Sequence, residues 1–374
     1  MSKITGLQSM AVVVPLDVPT AFARRSVTAR DYLAVRVTDE DGISGIGFCY
    51  VGNFGGKLAS AIIREVFAPR IVGRQSWQVR GLWEELYQDL ILHGRAGLFM
   101  RALSAVDVAL WDLNARRADL PLWKYLGAVE EESVAAYASG GYYLPGKTPE
   151  DLGREMQGYL DQGFTAVKMK IGRGTPAEDA ARAEAVREVI GSEARLMMDA
   201  NNAWRDLPTA IEHVRALEPY NPYWIEEPFG PDDIQNHARL AENIASLVVT
   251  GEIEQGRWRH KALLDAGGAA ILQTDAAVCG GITEFQRIAA LADGYGVTMA
   301  PHWFHDLHVH LVAATANATM VEFFADDRVL NFRKLIDTQL SVLPGGRLAL
   351  PTGPGLGFDF DEAALVEFGA EPWS

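Results

Sequence analysis

The most constraining feature of this 374-residue chain is a rhythm. From about residue 130 onward, short apolar runs that end in a polar residue keep recurring. They are Val134–Ser139, Ala166–Ile171, Arg195–Asp199, Tyr223–Glu226, Leu247–Glu252, Ala270–Asp275, Val297–His302 and Thr319–Phe323. From the second run on, the polar ends stand at 170, 199, 226, 252, 275, 302 and 322, at intervals of 20 to 29 residues. Helical pieces fill the gaps. Thr148-Pro149-Glu150-Asp151 and Thr175-Pro176-Ala177-Glu178 read as helix starts, Gly191 as a stop, and Leu207-Pro208 as another start. Strand and helix alternating at this interval predict a parallel sheet. Eight such units in about 200 residues predict an α/β fold, a closed (β/α)₈ barrel. A doubly wound open sheet is the alternative; the Gly-rich turn that usually follows its first strand is missing.

Residues 1–125 break this rhythm. Strand-like stretches at Ala11–Val14 and Asp31–Val37 flank a proline-containing loop, and helical runs follow at about 57–68, 77–92 and 98–117. The chain therefore divides into an α+β capping domain (1–125), a barrel (126–325) and a Pro/Gly-rich segment (326–374) expected to pack back on the cap. The formal net charge of −15 argues against nucleic acid and against a basic membrane-surface face. Two cysteines make neither a disulfide framework nor a thiolate metal site. The N-terminus lacks the long apolar core of a signal peptide, and no apolar run reaches about 18 residues, so a cytoplasmic location is expected.

In a barrel, chemistry sits at the C-terminal ends of the strands. Those ends carry Lys168 and Lys170, then Asp199 with Asn201, then Glu226, Glu252, Asp275, His302 and Glu322. Lys168 and Lys170 alternate on a strand and share one face. An interior lysine is costly unless paired. Three acids on successive strand ends converge; hard oxygen donors without thiolates suit Mg²⁺, and their mutual repulsion asks for a cation. Asp275 beside His302 would orient the imidazole and raise its pKa. Residues 302–310 hold four of the eight histidines. A histidine-ligated zinc site is disfavoured, because the HExxH helix pattern is missing. His305, His308 and His310 are read as loop or helix residues, one of them a candidate for ligand contact.

These motifs resemble the enolase superfamily, in its mandelate racemase branch. Lys168-Met169-Lys170 is similar to that family's second-strand KxK base. Asp199-Ala200-Asn201, Trp224-Ile225-Glu226-Glu227-Pro228 and Gly251-Glu252 are similar to its three metal-ligand strands. Asp275 and His302 resemble the sixth- and seventh-strand dyad, and Glu322 the eighth-strand acid. The stretch from Ala102 to Asp112 is similar to the signature helix at the cap junction. The resemblance implies an enolase-type modified barrel binding one Mg²⁺ through Asp199, Glu226 and Glu252. It implies α-proton abstraction next to a metal-bound carboxylate, through an enediolate. Lys170 would act on one face and His302, backed by Asp275, on the other. Lys168 would neutralise the substrate carboxylate or depress the pKa of Lys170, and Glu322 would hydrogen-bond the other carboxylate oxygen.

No lysine lies between Lys261 and Lys334, so the Lys/Lys pair of cycloisomerases and dipeptide epimerases is missing. A Lys/His pair implies an acid-sugar dehydratase giving a 2-keto-3-deoxy acid, or a racemase of a 2-hydroxy acid. Residues 138–172 look most like the tartrate dehydratase type; residues 273–311 depart from it. An acid-binding barrel without turnover would lack a base or ligand, and none is missing. A metal hydrolase would carry an early HxH strand, and the first 92 residues hold no histidine. Loops near Pro15–Val27 and Tyr50–Gly56 are expected lids. Asn201, Arg24, Tyr142 and Tyr143 are expected substrate contacts, with Arg25, His93 and Arg95 as further candidates. A small-molecule carboxylate is the expected partner, and family habit suggests a homo-oligomer.

Overall fold

A computed structural model describes residues 2–130 and 132–374. An antiparallel sheet opens the chain: β1 (Ile4–Phe22), β2 (Arg25–Asp39) and β3 (Ser44–Tyr50). Eight parallel strands follow: β4 (Ser133–Ser139), β5 (Ala166–Lys170), β6 (Arg195–Asp199), β7 (Pro222–Glu226), β8 (Leu247–Thr250), β9 (Ile271–Leu272), β10 (Thr298–Met299) and β11 (Val321–Phe323). Neighbours pair in chain order, and β11 returns to β4. The ring closes between the last two strands through the Met299–Ala318 bridge. This is the expected barrel.

The helix starts follow from their caps. Thr148 and Thr175 each form a capping box, with Asp151 and Glu178 reaching back. Asp206 caps the helix Leu207–Leu217 by accepting from the Thr209 N–H. The last strands are shorter than the sequence suggests. Asp275 accepts from the Ala277 N–H and so starts a helix at Ala276. Pro301 has no N–H to give a ladder.

The N-terminal sheet differs most from expectation. The supposed Pro15–Val27 loop is the far half of one long hairpin. Its register shifts between Pro15/Ala29 and Thr20/Val27, across the two prolines, and resumes to the tip. Strand β3 has no counterpart in the sequence reading. Its glycines permit contact with the helix Leu98–Arg117: a Cβ at Gly47 would stand 2.0 Å from the Ala105 carbonyl oxygen, and one at Gly45 2.3 Å from that of Ala109.

The segment after 325 divides its contacts. Strands β12 (Val342–Leu343) and β13 (Arg347–Ala349) extend the barrel sheet beside β4, antiparallel to it. Beyond them, the Leu356 N–H donates to Asp112 of the cap helix, the Ala370 N–H to Ala11, and Ser374 pairs with Ser9. Cap and barrel are also pinned directly. Asp107 on the cap helix accepts from the Thr283 N–H at 2.9 Å and its hydroxyl at 2.6 Å, Ser104 accepts from the Gly280 N–H, and Trp83 donates to the Gly280 carbonyl.

Candidate active site

Register builds the floor of the site. Lys170 pairs across the sheet with Asp199, and Asp199 with Glu226, so their side chains share one level of the barrel interior. Met169, between the lysines, points into the outer core instead. Lys170 Nζ stands 2.5 Å from Asp199 Oδ2. Lys168 Nζ stands 2.5 Å from Glu226 Oε1 and 2.6 Å from Glu322 Oε1. Burial is the largest influence on Lys170 and works to lower it, but the Asp199 carboxylate, together with Tyr142 and Glu226, outweighs it and holds the ammonium above its ordinary range. Lys168 pushes Lys170 downward, as expected, without winning.

The opposite wall carries the histidine. His302 Nδ1 lies 3.0 Å from Asp275 Oδ2, and Nε2 lies 3.5 Å from Glu252 Oε1. Burial opposes its charge, yet Glu252 and Asp275 raise it to about 9, so His302 is an imidazolium near neutrality. Around the barrel, β10 is separated from β5 by β11 and β4 on one side and by four strands on the other.

Above the floor lies a cavity of about 580 Å³. Lys170, Asn201, Glu252, Asp275, His302 and Tyr142 line it. Tyr142 places its ring 5.0 Å from Lys170 Nζ. Other expected contacts lie elsewhere. Arg24 sits exposed at the hairpin turn, and its neighbour Arg25 lines the cavity and donates to Asn202. Tyr143 faces away: its hydroxyl donates to Asp179, Arg182 stacks on its ring, and its backbone pairs with Ala21 of the hairpin. One step along extended chain reverses the face at Tyr143, whereas Arg24 lies in the turn itself, one residue before β2 begins. Lys168 and Glu322 are fully buried below the cavity, and Glu322 Oε2 accepts from the Trp303 N–H rather than facing the space above. Of the histidine cluster only His302 lines the cavity; His305, His308 and His310 are buried in the helix His305–Ala313. His93 and Arg95 do not line it either.

The sequence reading missed Arg30, Arg101 and Trp303, and had Tyr50 only as the start of an expected lid. Arg30 is 3% exposed and lies over the Tyr50 and Trp303 rings. It donates to the Val329 carbonyl, while its Nη2 has no acceptor. Arg101 donates to the Tyr50 carbonyl. Among the described residues, Arg25, Arg30 and Arg101 all lack a carboxylate partner. Arg30-Asp31 before an apolar run gives no signal of burial; only the fold supplies one.

The acidic triad fits Mg²⁺. Asp199, Glu226 and Glu252 each bring one oxygen within 4.8 Å of the others. Glu252 Oε2 is buried without a partner. Burial first, and Asp199 second, push Glu226 up to about 8. Burial raises Glu252 as well. Acids in this position are expensive to ionise together, and an oxygen-seeking dication would relieve that cost.

Comparisons with known proteins agree with this chemistry. Residues 4–127 match the mandelate racemase/muconate lactonizing enzyme N-terminal domain, and residues 151–364 match the enolase C-terminal domain-like model. The chain is 34% identical to the L-talarate/galactarate dehydratase of Salmonella typhimurium, over 99% of this chain and 94% of that one. It is 30% identical to the arabinonate dehydratase of Saccharolobus solfataricus, over 90% of each. The structure of L-talarate dehydratase from Polaromonas sp. JS666, complexed with Mg and L-glucarate, superposes with a TM-score of 0.88 at 33% identity, over 100% of this chain and 99% of that one. The chain belongs to the enolase superfamily, in its mandelate racemase/muconate lactonizing enzyme group.

Proposed function

We propose that Lys170 is the base and His302 the acid of a magnesium-dependent acid-sugar dehydratase. The observation that carries this is the facing pair: a lysine on one wall and a carboxylate-backed imidazolium on the other, with the acidic triad between them. When bound by Asp199, Glu226 and Glu252, Mg²⁺ draws negative charge onto the substrate carboxylate and acidifies the adjacent C–H. Lys170 Nζ takes that proton. The freed electron pair forms a C=C bond, the bond to the β-hydroxyl breaks, and His302 gives its proton to the departing oxygen as water leaves. The enol then tautomerises to the 2-keto-3-deoxy acid. The Asp199 charge that keeps Lys170 protonated is the charge a dication would neutralise. Lys168 holds Glu226 and Glu322 in place beneath.

We infer further that the substrate is a diacid. A guanidinium held out of water without a counter-ion is costly. Arg30 is such a group in the upper wall, with Arg25 and Arg101 nearby in the same lining. A second carboxylate would supply the missing charge. Among the relatives, talarate and galactarate are diacids and arabinonate is a monoacid, so the names alone leave both open.

The test is incubation with Mg²⁺ in D₂O against aldonates, aldarates and the tartrates. Carbonyl trapping reads keto acid and proton NMR reads the α-hydrogen. Keto acid from an aldarate supports both statements. Keto acid from aldonates alone keeps the dehydratase and removes the diacid. Deuterium uptake with inversion and no keto acid makes the enzyme a racemase. A homo-oligomer belongs to the same reading, with exposed Phe54 and Leu92 as apolar surface for a second copy; a monomer by light scattering would remove it. No helix among the described residues is long and apolar enough to cross a membrane, and a cytoplasmic location suits a sugar-acid substrate.

A further inference from the structure

We propose that His308 is a positioning residue that holds the two halves of the His302–Asp275 pair in register. His308 is fully buried in the helix after β10 and does not line the cavity. Its Nδ1 lies 2.8 Å from the Trp303 carbonyl oxygen, an acceptor, so Nδ1 must carry the hydrogen. Its Nε2 lies 3.0 Å from the Ala276 N–H, a donor, so Nε2 must be bare. One tautomer of the neutral ring satisfies both. The ring thereby ties the residue after His302 to the residue after Asp275. Nε2 also lies 3.5 Å from Asp275 Oδ1, whose own donor is the Ala277 N–H. Asp275, His302 and Glu322 are the charged groups that face it.

These two strand ends are joined thinly without it. Strands β9 and β10 are paired over two residues each, and beyond them two backbone bonds follow, from the Ala300 N–H to the Leu272 carbonyl and from the His302 N–H to the Gln273 carbonyl at 3.3 Å. Immediately beyond His302, Trp303 and Phe304 adopt φ of +50° and +24°. Non-glycine residues persist there only when their surroundings hold them. Glu322 holds the Trp303 N–H and His308 its carbonyl. Without the imidazole, a buried carbonyl and a buried N–H both lose their partners, and the direct His302–Asp275 hydrogen bond loses the brace between the residues that follow each of them. Lys170, on the far wall, keeps its own contacts.

The inference rests on the proposed division of labour, and the test separates the two. His308→Phe fills the space, beside Phe285 at 6.3 Å, without either hydrogen bond. His308→Asn can retain the Nδ1 donor alone. In His308→Phe, kcat for dehydration should fall by about 100-fold, the scale of a misplaced catalytic group. KM and Lys170-dependent α-deuterium exchange should stay within about 3-fold of the parent, and His308→Asn should recover part of the kcat, as one of two hydrogen bonds is kept. Unchanged dehydration, or exchange and dehydration falling together, would overturn the proposal. If the parent neither exchanges nor dehydrates any acid sugar, the functional reading fails. His308 is then still tested by nitrogen NMR of the labelled parent: a neutral Nδ1–H ring supports it, and any other state refutes it.

Discussion

The floor and the upper wall of the cavity are built on different plans. The floor stands on strands in register. Lys168, Asp199, Glu226 and Glu322 are fully buried there, and each finds its partner within the barrel. The upper wall comes from the cap: the hairpin tip and the loop after β3, where Arg25, Gly52, Asn53 and Phe54 sit between solvent and cavity, with Arg30 of β2 and Arg101 of the helix Leu98–Arg117 beside them. Its arginines have carbonyl or amide partners and no carboxylate. The difference teaches how the labour is divided. On the proposed reading, the barrel layer with its paired charges moves protons, and the cap layer with unmet charge selects what is brought to it.

The sharpest way to break the comparison is at the floor. Lys170→Ala and His302→Asn should each lower dehydration by at least about 1,000-fold, within the range of acid–base groups. Lys170→Ala alone should also abolish α-deuterium exchange, and full activity in either variant would sink the assignment. At the upper wall, Arg30→Met should cost about 10- to 100-fold in kcat/KM for a diacid, as expected for a lost charge-assisted hydrogen bond. Its effect on the matching monoacid should be slight; equal losses on both would make Arg30 structural. Thermal unfolding of chelator-treated protein sharpens the contrast by pH. His302 is raised from 6.5 to about 9, with burial opposing and Glu252 and Asp275 favouring its charge. Its folded pKa lies above its unfolded one, so its contribution is full below about pH 6.5 and is lost as pH rises through about 9. His302→Asn should flatten that decline. The smallest effect falls where hairpin meets barrel. Tyr143→Phe removes the hydroxyl that Asp179 accepts from, which should cost about 1 kcal/mol of stability. kcat should hardly move, since Tyr143 points away from the cavity.

The same division decides what could be read in advance. The lysines, the acidic triad, Asp275 and His302 were legible because each ends an apolar run at barrel spacing, a one-dimensional pattern that the sheet converts directly into a ring. Strand β3 was not, since Ser44-Gly45-Ile46-Gly47 reads as a turn. Its glycines answer to the Ala105 and Ala109 carbonyls of a helix some 60 residues away. Arg24 and Tyr143 fell one residue from the positions that line the cavity, because side choice on a hairpin depends on where its turn falls. Arg30 and His308 carry no local signal; burial and backbone partners define both.

The pins between cap and barrel set how a substrate can enter. Asp107, Ser104 and Trp83 lock the cap helices onto residues 280–283. Swinging the cap as a rigid body would leave these buried groups unpaired at once. Admission is therefore a local event. The hairpin tip around residues 22–26 and the loop at 51–55 must part by themselves. Traffic through the mouth should follow the fast kinetics of short loops rather than the slower kinetics of domain rotation.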